Sequence, residues 1–242
     1  MTVPRVIIPA RLASTRFPRK VLADVLGKPM IQRVWMAAVD AVGSEHVHIA
    51  TDSEEVAKVA RDFGANVQMT SANATCGTER VAEVSERFEA SALVNVQGDD
   101  PFIPASLIED SIEAFFDRGL AVCTPVFRMS LEDGRTPHIV KATRDLYGRA
   151  LYFSRSVIPY DREDGNSGEG LWGHVGLYVY SPVAVRQFRA LGESKLERRE
   201  KLEQLRFLEN DIPIATFVTE YHPRAVDVRE DLEALISEKI ND

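Results

Sequence analysis

The sequence predicts an α/β fold, a mostly parallel sheet flanked by helices and followed by a β-rich second-half lobe. Three observations carry this. Short apolar runs alternate with helix-period stretches through roughly the first 118 residues, the pattern of strands joined by helical crossovers. The first such run, Val6-Ile7-Ile8, leads straight into a basic loop, Pro9 to Lys20. Beyond residue 120 the pattern changes to strands separated by charged, glycine-containing segments.

In order, Val6–Ile8 reads as a strand and Pro29–Val42 as a helix, with proline in its first turn. Val47–Ala50 is a second strand. Ser53 is the expected N-cap of a helix reaching Phe63, with Glu54 and Glu55 at the favourable end of the dipole. Asn66–Met69 is a third strand, Thr78–Phe88 a helix, Ala92–Val96 a central strand and Ala105–Phe116 a helix. In the second half, Ala121–Arg128 and Ile139–Ala142 read as strands, and Arg162–Gly173 as a loop. Val175–Tyr180 is a strand, Pro182 opens a helix, Glu197–Leu208 is a helix and Ile214–Val218 a strand. A short strand ends at Val226-Asp227 before a closing helix from about Arg229 to Ile240. The 242 residues, 45% of them apolar, suit one domain over 1–242. A lobe around 121–185 is expected to carry a dimer surface.

Composition excludes several classes. Acidic residues outnumber basic ones 37 to 29, for a net charge of −8, which argues against sequence-independent nucleic-acid binding. Cys76 and Cys123 are the only cysteines, too few for a disulfide framework and without a zinc ligand set around them. No apolar run approaches a membrane span. A cytoplasmic protein without membrane insertion is the expectation.

Two places carry chemistry. The loop Pro9-Ala10-Arg11-Leu12-Ala13-Ser14-Thr15-Arg16-Phe17-Pro18-Arg19-Lys20 sets four cations just past a strand, where open α/β sheets hold polyphosphates. It lacks the glycine patterns of ATPase and dinucleotide loops, so side chains must share the grip. Val94-Asn95-Val96-Gln97-Gly98-Asp99-Asp100-Pro101 puts two carboxylates at the end of the central strand. An oxygen-only set suits Mg²⁺; a solvated Asp-Asp-Pro turn is the plain alternative. Asp227 follows another strand-like run and either joins Asp99 at the sheet edge or caps the closing helix.

The first loop together with Asn95-Val96-Gln97-Gly98-Asp99 strongly resembles the 3-deoxy-manno-octulosonate cytidylyltransferases. The resemblance continues through Gly27-Lys28-Pro29-Met30-Ile31, Ala50-Thr51-Asp52, Gly77-Thr78-Glu79-Arg80 and Ala150-Leu151-Tyr152-Phe153-Ser154-Arg155. It then takes in Ile158-Pro159, His174-Val175-Gly176-Leu177-Tyr178 and Leu202-Glu203-Gln204-Leu205-Arg206, covering nearly the whole chain in order. It implies a nucleotidyltransferase-like fold, a homodimer, Mg²⁺, and transfer of CMP from CTP to the sugar acid with release of pyrophosphate. Arg11, Arg16 and Lys20 would contact the triphosphate, with Pro9, Ala10 and Arg80 around the cytosine. Asp99 and Asp227 would be the metal carboxylates, and with Arg11 and Lys20 the catalytic set. Gln97, Arg155, His174, Tyr178, Glu203 and Gln204 would line the acid-sugar pocket, His174 and Tyr178 on one face of a common strand. Cys76 would neighbour the nucleotide, with no covalent role.

The chain departs from that pattern at named positions. Arg19 stands for a usual glycine, Cys76 for serine and Asp100 for glutamate. Val228-Arg229 replaces Thr-Pro after the closing aspartate, and Asp211 lies near a usual turn glycine. Arg19 and Arg229 raise the alternative of a smaller or more charged acceptor, such as an 8-amino octulosonate or phosphonoformate. A silent nucleotide-binding scaffold is disfavoured by the presence of both Asp99 and Asp227.

Overall fold

The computed structural model describes residues 2–12, 17–162, 170–224, 226 and 228–241. Arg16 and Asp227 therefore lie outside the described residues. Two compact units emerge, Met1–Asp110 with Pro223–Asp242, and Ser111–His222.

The first unit is built on β1 (Arg5–Pro9), whose run enters a hairpin of β2 (Asp24–Val25) and β3 (Lys28–Pro29). There follow α1 (Met30–Val42), β4 (Val47–Thr51), α2 (Glu54–Asp62), β5 (Asn66–Met69), α3 (Gly77–Ser85), β6 (Leu93–Val96) and α4 (Ala105–Arg118), which runs on into the second unit. Strands β5, β4, β1 and β6 lie side by side in that order, all parallel. Every residue of β4 and β6 is buried, as strands covered on both faces by helices require. Ser53 caps α2 by accepting the Val56 amide, as its position predicts. A side cluster of Phe17, Val25, Met30, Val226, Leu232 and Leu235 packs the first loop against the closing helix, Arg229–Asn241.

The second unit contains β7 (Val122–Met129), α5 (Leu131–Gly134), β8 (Lys141–Arg144), β9 (Ala150–Ser154), β10 (Leu171–His174) and β11 (Leu177–Tyr180). These are followed by α6 (Pro182–Leu191), α7 (Lys195–Glu200), α8 (Leu205–Glu209) and β12 (Ile214–Val218). Strand β7 is the hub: β10 and β11 pair with it antiparallel, and β12 parallel. β8 joins β10, and β9 joins β8, both antiparallel. The α/β class with a β-rich second-half lobe is what the sequence predicts, the parallel pairs lying chiefly in the first unit.

Four expectations are corrected. The strand expected over Val175–Tyr180 is confined to Leu177–Tyr180; Val175 and Gly176 lie between β10 and β11, where the Leu177 amide turns back to the Val175 carbonyl. Residues 171–173, expected in a loop, pair with β7 because Gly173 has no Cβ; one there would sit 2.3 Å from the Phe127 ring. The single helix Glu197–Leu208 is α7 and α8, broken at Lys201, which takes a left-handed φ of 55°. A continuous helix would put Glu197 and Arg206 on opposite faces about 13 Å apart. Instead both carboxylate oxygens of Glu197 receive the buried Arg206 guanidinium, at 2.7 and 2.8 Å. Finally, Val226 belongs to no strand; its amide donates to the Asp99 carbonyl. Strand β9 was not foreseen at all.

Arg19, where glycine is usual in the resembling family, has φ 60° and pairs with Glu55. A Cβ in that region is strained by roughly 1–2 kcal/mol, partly offset because glycine loses more freedom on folding. Arg19→Gly is therefore expected to be more stable than Arg19→Ala by about 0.5–1 kcal/mol. Both variants lack the ion pair, so urea melts of the two isolate the backbone effect. Asp211, the other such departure, also sits left-handed, at φ 57°, a conformation aspartate tolerates better.

Candidate active site

The first unit draws three distant segments to the C-terminal ends of β1 and β6. Pro9 ends β1, and the buried Ala10 donates its amide to the Ala50 carbonyl at 2.8 Å. Gly98 lets the turn after β6 lie close against that end. A Cβ there would come within 3.1 Å of both the Pro9 carbonyl and Ile31. One residue on, Asp99 accepts the Lys20 ammonium at 2.8 Å, and the same ammonium reaches the Val226 carbonyl at 2.7 Å. The Asp99 carbonyl in turn accepts the Val226 amide at 3.0 Å. Lys20 is thus fixed between the turn after β6 and the residue preceding Asp227.

Asp99 Oδ2 is taken by Lys20, whereas Oδ1 has no hydrogen-bond partner among the described residues. The side chain is one-third exposed. An open, solvent-reachable carboxylate oxygen is the donor type a hard cation takes. Mg²⁺ needs only one or two such ligands when phosphates and water supply the rest. Asp99 therefore fits a Mg²⁺ ligand. Arg11 stands exposed past β1, its side chain in no ion pair among the described residues.

Arg80, on α3, is buried and fully engaged. It donates to Asp52 at 2.9 Å, to the Thr70 hydroxyl at 2.6 Å and to the Ser71 carbonyl at 3.3 Å. Its charge secures the Ala50-Thr51-Asp52 turn to the segment before α3. Gln97 donates to the Asn95 side chain at 3.2 Å. Of the two departures in charge, Arg19 pairs with Glu55, and Arg229 lies over the Phe17 ring at 5.2 Å.

In the second unit, His174 ends β10 and Tyr178 lies in β11. They share no strand, yet their rings meet at 5.3 Å. The Thr124 hydroxyl has one proton, which the Leu177 carbonyl accepts at 2.7 Å. His174 Nε2, 2.9 Å from the same oxygen, is accordingly the N–H donor. Burial holds the His174 pKa down at about 3, so the ring is a neutral hydrogen-bonding group at pH 7 and no acid catalyst. Arg155 donates Nε to the Glu200 carbonyl at 2.9 Å and a terminal nitrogen to the Pro137 carbonyl at 3.0 Å. Its own amide is held by the Glu200 carboxylate. Gln204 precedes α8 and is buried, its Nε2 without a hydrogen-bond partner among the described residues. Glu203 is half-buried in the turn between α7 and α8.

Sequence reasoning missed Glu200, Thr124 and the Val226 carbonyl, each of which fixes a candidate residue. Glu200 and Thr124 carry no local signal, and a backbone carbonyl carries none in any sequence. Lys141 was missed too; fully buried, it donates to the Thr136 and Ile139 carbonyls, and burial, then Arg155, lowers its pKa. Cys123 is a buried thiol pushed up to about 12 by desolvation, which makes it inert at neutral pH.

Both buried histidines make the fold acid-sensitive. His48 in β4 stacks on Phe88 at 4.7 Å; burial, then Arg5 and His46, lower its pKa to about 4. A neutral folded imidazole and an unfolded one titrating near 6.5 leave stability intact above pH 6.5 and drain it as pH falls towards each folded value. At pH 5 each is expected to remove about 2 kcal/mol relative to pH 7. Urea melts at both values should show this, and His48→Phe should recover about half of the difference.

The chain is similar throughout to proteins of one kind. Residues 5–214 match the family model described as cytidylyltransferase. A 3-deoxy-manno-octulosonate cytidylyltransferase of Chlorobium phaeovibrioides is 43% identical over 239 residues, 96% of this chain and 95% of that one. A protein of the same name from Geobacter metallireducens is 43% identical, over 95% of each chain. A CMP:2-keto-3-deoxy-manno-octonic acid synthetase solved in complex with CTP superposes with a TM-score of 0.92 at 35% identity, covering 99% of both chains. With near-complete coverage at this identity, and with Lys20 and Asp99 meeting at the strand ends, the chain belongs to the 3-deoxy-manno-octulosonate cytidylyltransferase family.

Proposed function

We propose that this chain transfers CMP from CTP to 3-deoxy-manno-octulosonate, releasing pyrophosphate. The observation that carries the reading is the Lys20–Asp99 pair at the ends of β1 and β6, in a chain so similar to a synthetase solved with CTP. An acceptor hydroxyl oxygen bonds to the α-phosphorus as the bond to the pyrophosphate oxygen breaks, the hydroxyl proton being released to solvent. Both reactants are anionic, so the protein must first offset repulsion. Arg11, Arg16 and Lys20 are assigned to the triphosphate and the departing pyrophosphate, with Pro9, Ala10 and Arg80 at the cytosine end. Arg80 acts there by holding Asp52 and the Thr70–Ser71 segment in place.

Asp99, with Asp227, would hold Mg²⁺. Such an ion would supply neutralisation of phosphate charge. Lys20 keeps Asp99 oriented for that role, because it anchors Oδ2 and leaves Oδ1 open. Gln97, Arg155, His174, Tyr178, Glu203 and Gln204 are assigned to the acid sugar. The unpartnered Gln204 amide supports this, since a buried N–H without an acceptor costs about 1–3 kcal/mol unless a ligand supplies one. Arg19 and Arg229 have partners within the protein, which removes the reason to prefer a different acceptor. A homodimer formed through the lobe around 121–185 and a cytoplasmic setting complete the proposal; among the described residues no helix is long and apolar enough to cross a membrane.

The test is pyrophosphate release from CTP and Mg²⁺ with 3-deoxy-manno-octulosonate, its 8-amino analogue and phosphonoformate as separate acceptors. Release with the first at a kcat/KM well above the others is expected. Release with phosphonoformate alone would reject the acceptor and keep the reaction class. No release with any of them from folded protein would reject both.

A further inference from the structure

We propose that Arg118, Arg128 and Arg144 of the second unit form a binding site for a small, multiply charged oxyanion such as pyrophosphate. It uses none of the residues assigned to CTP or the acceptor. In register, Trp172 of β10 lies opposite Arg128 of β7 on one side and Ala142 of β8 on the other. Arg144, two residues past Ala142, shares its face. The two guanidinium carbons accordingly flank the same indole, 3.7 Å and 5.0 Å from its centroid. Stacking on an aromatic face fixes a guanidinium's plane and leaves its edge donors pointing outward.

Arg118, at the end of α4, brings the third charge. Its terminal nitrogen donates to the Tyr147 carbonyl at 3.1 Å. A Cβ placed on Gly148 would lie 2.8 Å from an Arg144 nitrogen and 3.2 Å from an Arg118 nitrogen. Those two nitrogens are therefore at most about 6 Å apart, within reach of one phosphate group. Glycine at 148 keeps the ground between them clear.

The charges are uncompensated among the described residues. None of the three arginines forms an ion pair, and the adjacent Asp145 is committed to Arg149 at 2.7 Å. Burial, then Arg118 and Arg128, lowers the Arg144 pKa, with Asp145 opposing. In a chain of net charge −8, gathering three cations beside a single carboxylate already bonded to Arg149 is locally unfavourable. A bound oxyanion removes that repulsion and fills the fixed donor forks.

The test uses Trp172 itself. The chain has two tryptophans, so Trp35→Phe leaves Trp172 as the single fluorophore. Titration of that protein with inorganic pyrophosphate should give a saturable change in emission. Arg118→Gln with Arg144→Gln should weaken it at least about tenfold, and the exposed Arg118→Gln alone by a smaller factor. Lys20→Met, which acts on the proposed CTP site, should leave the titration in place. An unchanged titration in both arginine variants overturns the proposal, as does the absence of any saturable change in the parent. Loss of subunit association in the double variant by sedimentation velocity also overturns it, since the arginines would then serve protein carboxylates.

Discussion

Asp99→Asn is expected to lower kcat/KM for pyrophosphate release by about 10²–10³-fold, roughly 3–4 kcal/mol of transition-state stabilisation. The substitution keeps the size and the hydrogen-bonding outline of the side chain. It removes the charge that Lys20 offsets and that a Mg²⁺ ion would use. Lys20→Met should fall in the same range, for a double reason. It deletes a cation assigned to the leaving group, and it frees the Val226 carbonyl that the ammonium secures. The discriminating measurement is the Mg²⁺ dependence. Asp99→Asn should need far more Mg²⁺ to reach half-maximal rate, whereas Lys20→Met, which keeps the carboxylate and loses only its anchor, should need a smaller increase. Near-parent turnover in Asp99→Asn, with an unaltered melt, removes Asp99 from the catalytic set.

Glu197→Ala is expected to cost about 3–5 kcal/mol of stability, because it strands a fully buried guanidinium. Arg206 is wholly enclosed, pairs with both Glu197 oxygens, and stacks over Phe188 at 3.8 Å. Glu197 also closes a capping box with Ser194 at the start of α7. Chemical denaturation gives the loss directly. Replacing both partners, as Glu197→Leu with Arg206→Met, should recover much of it, because apolar groups of similar volume need no counter-charge. A Glu197→Ala protein as stable as the parent would mean that the pair contributes nothing beyond packing.

Features whose causes are local in the chain were legible. Ser53 and Pro182 marked helix starts because capping and the proline ring act within one turn. The buried parallel strands announced themselves as short, mostly apolar runs, with His48 and Thr51 in β4 and Asn95 in β6 as the buried polar exceptions. The break at Lys201 was not legible, since nothing in Glu197–Leu208 disfavours a helix. It follows from an ion pair between residues nine apart, and propensity does not see that. Likewise, Val175–Tyr180 has the composition of one strand, yet only Leu177–Tyr180 forms one, because β10 and β11 each pair with β7 and the chain must turn between them at Val175. In the site, the resemblance named Lys20 and Asp99, but their direct contact and the Val226 bond between them are tertiary facts. Arg155, expected at the acid sugar, also donates to two backbone carbonyls, contacts that no sequence motif announces.

The bond from Lys20 to the Val226 carbonyl spans 206 positions of the chain. The unit that holds the residues assigned to the triphosphate is discontinuous, its last piece beginning only at Pro223. A chain leaving the ribosome can therefore pair β1, β4, β5 and β6 early, but it cannot fasten Lys20 until Val226 has been made. With Lys20 serving CTP as proposed, nascent protein should bind no CTP productively until the segment around Val226 docks, which makes that segment the timer of the site's maturation.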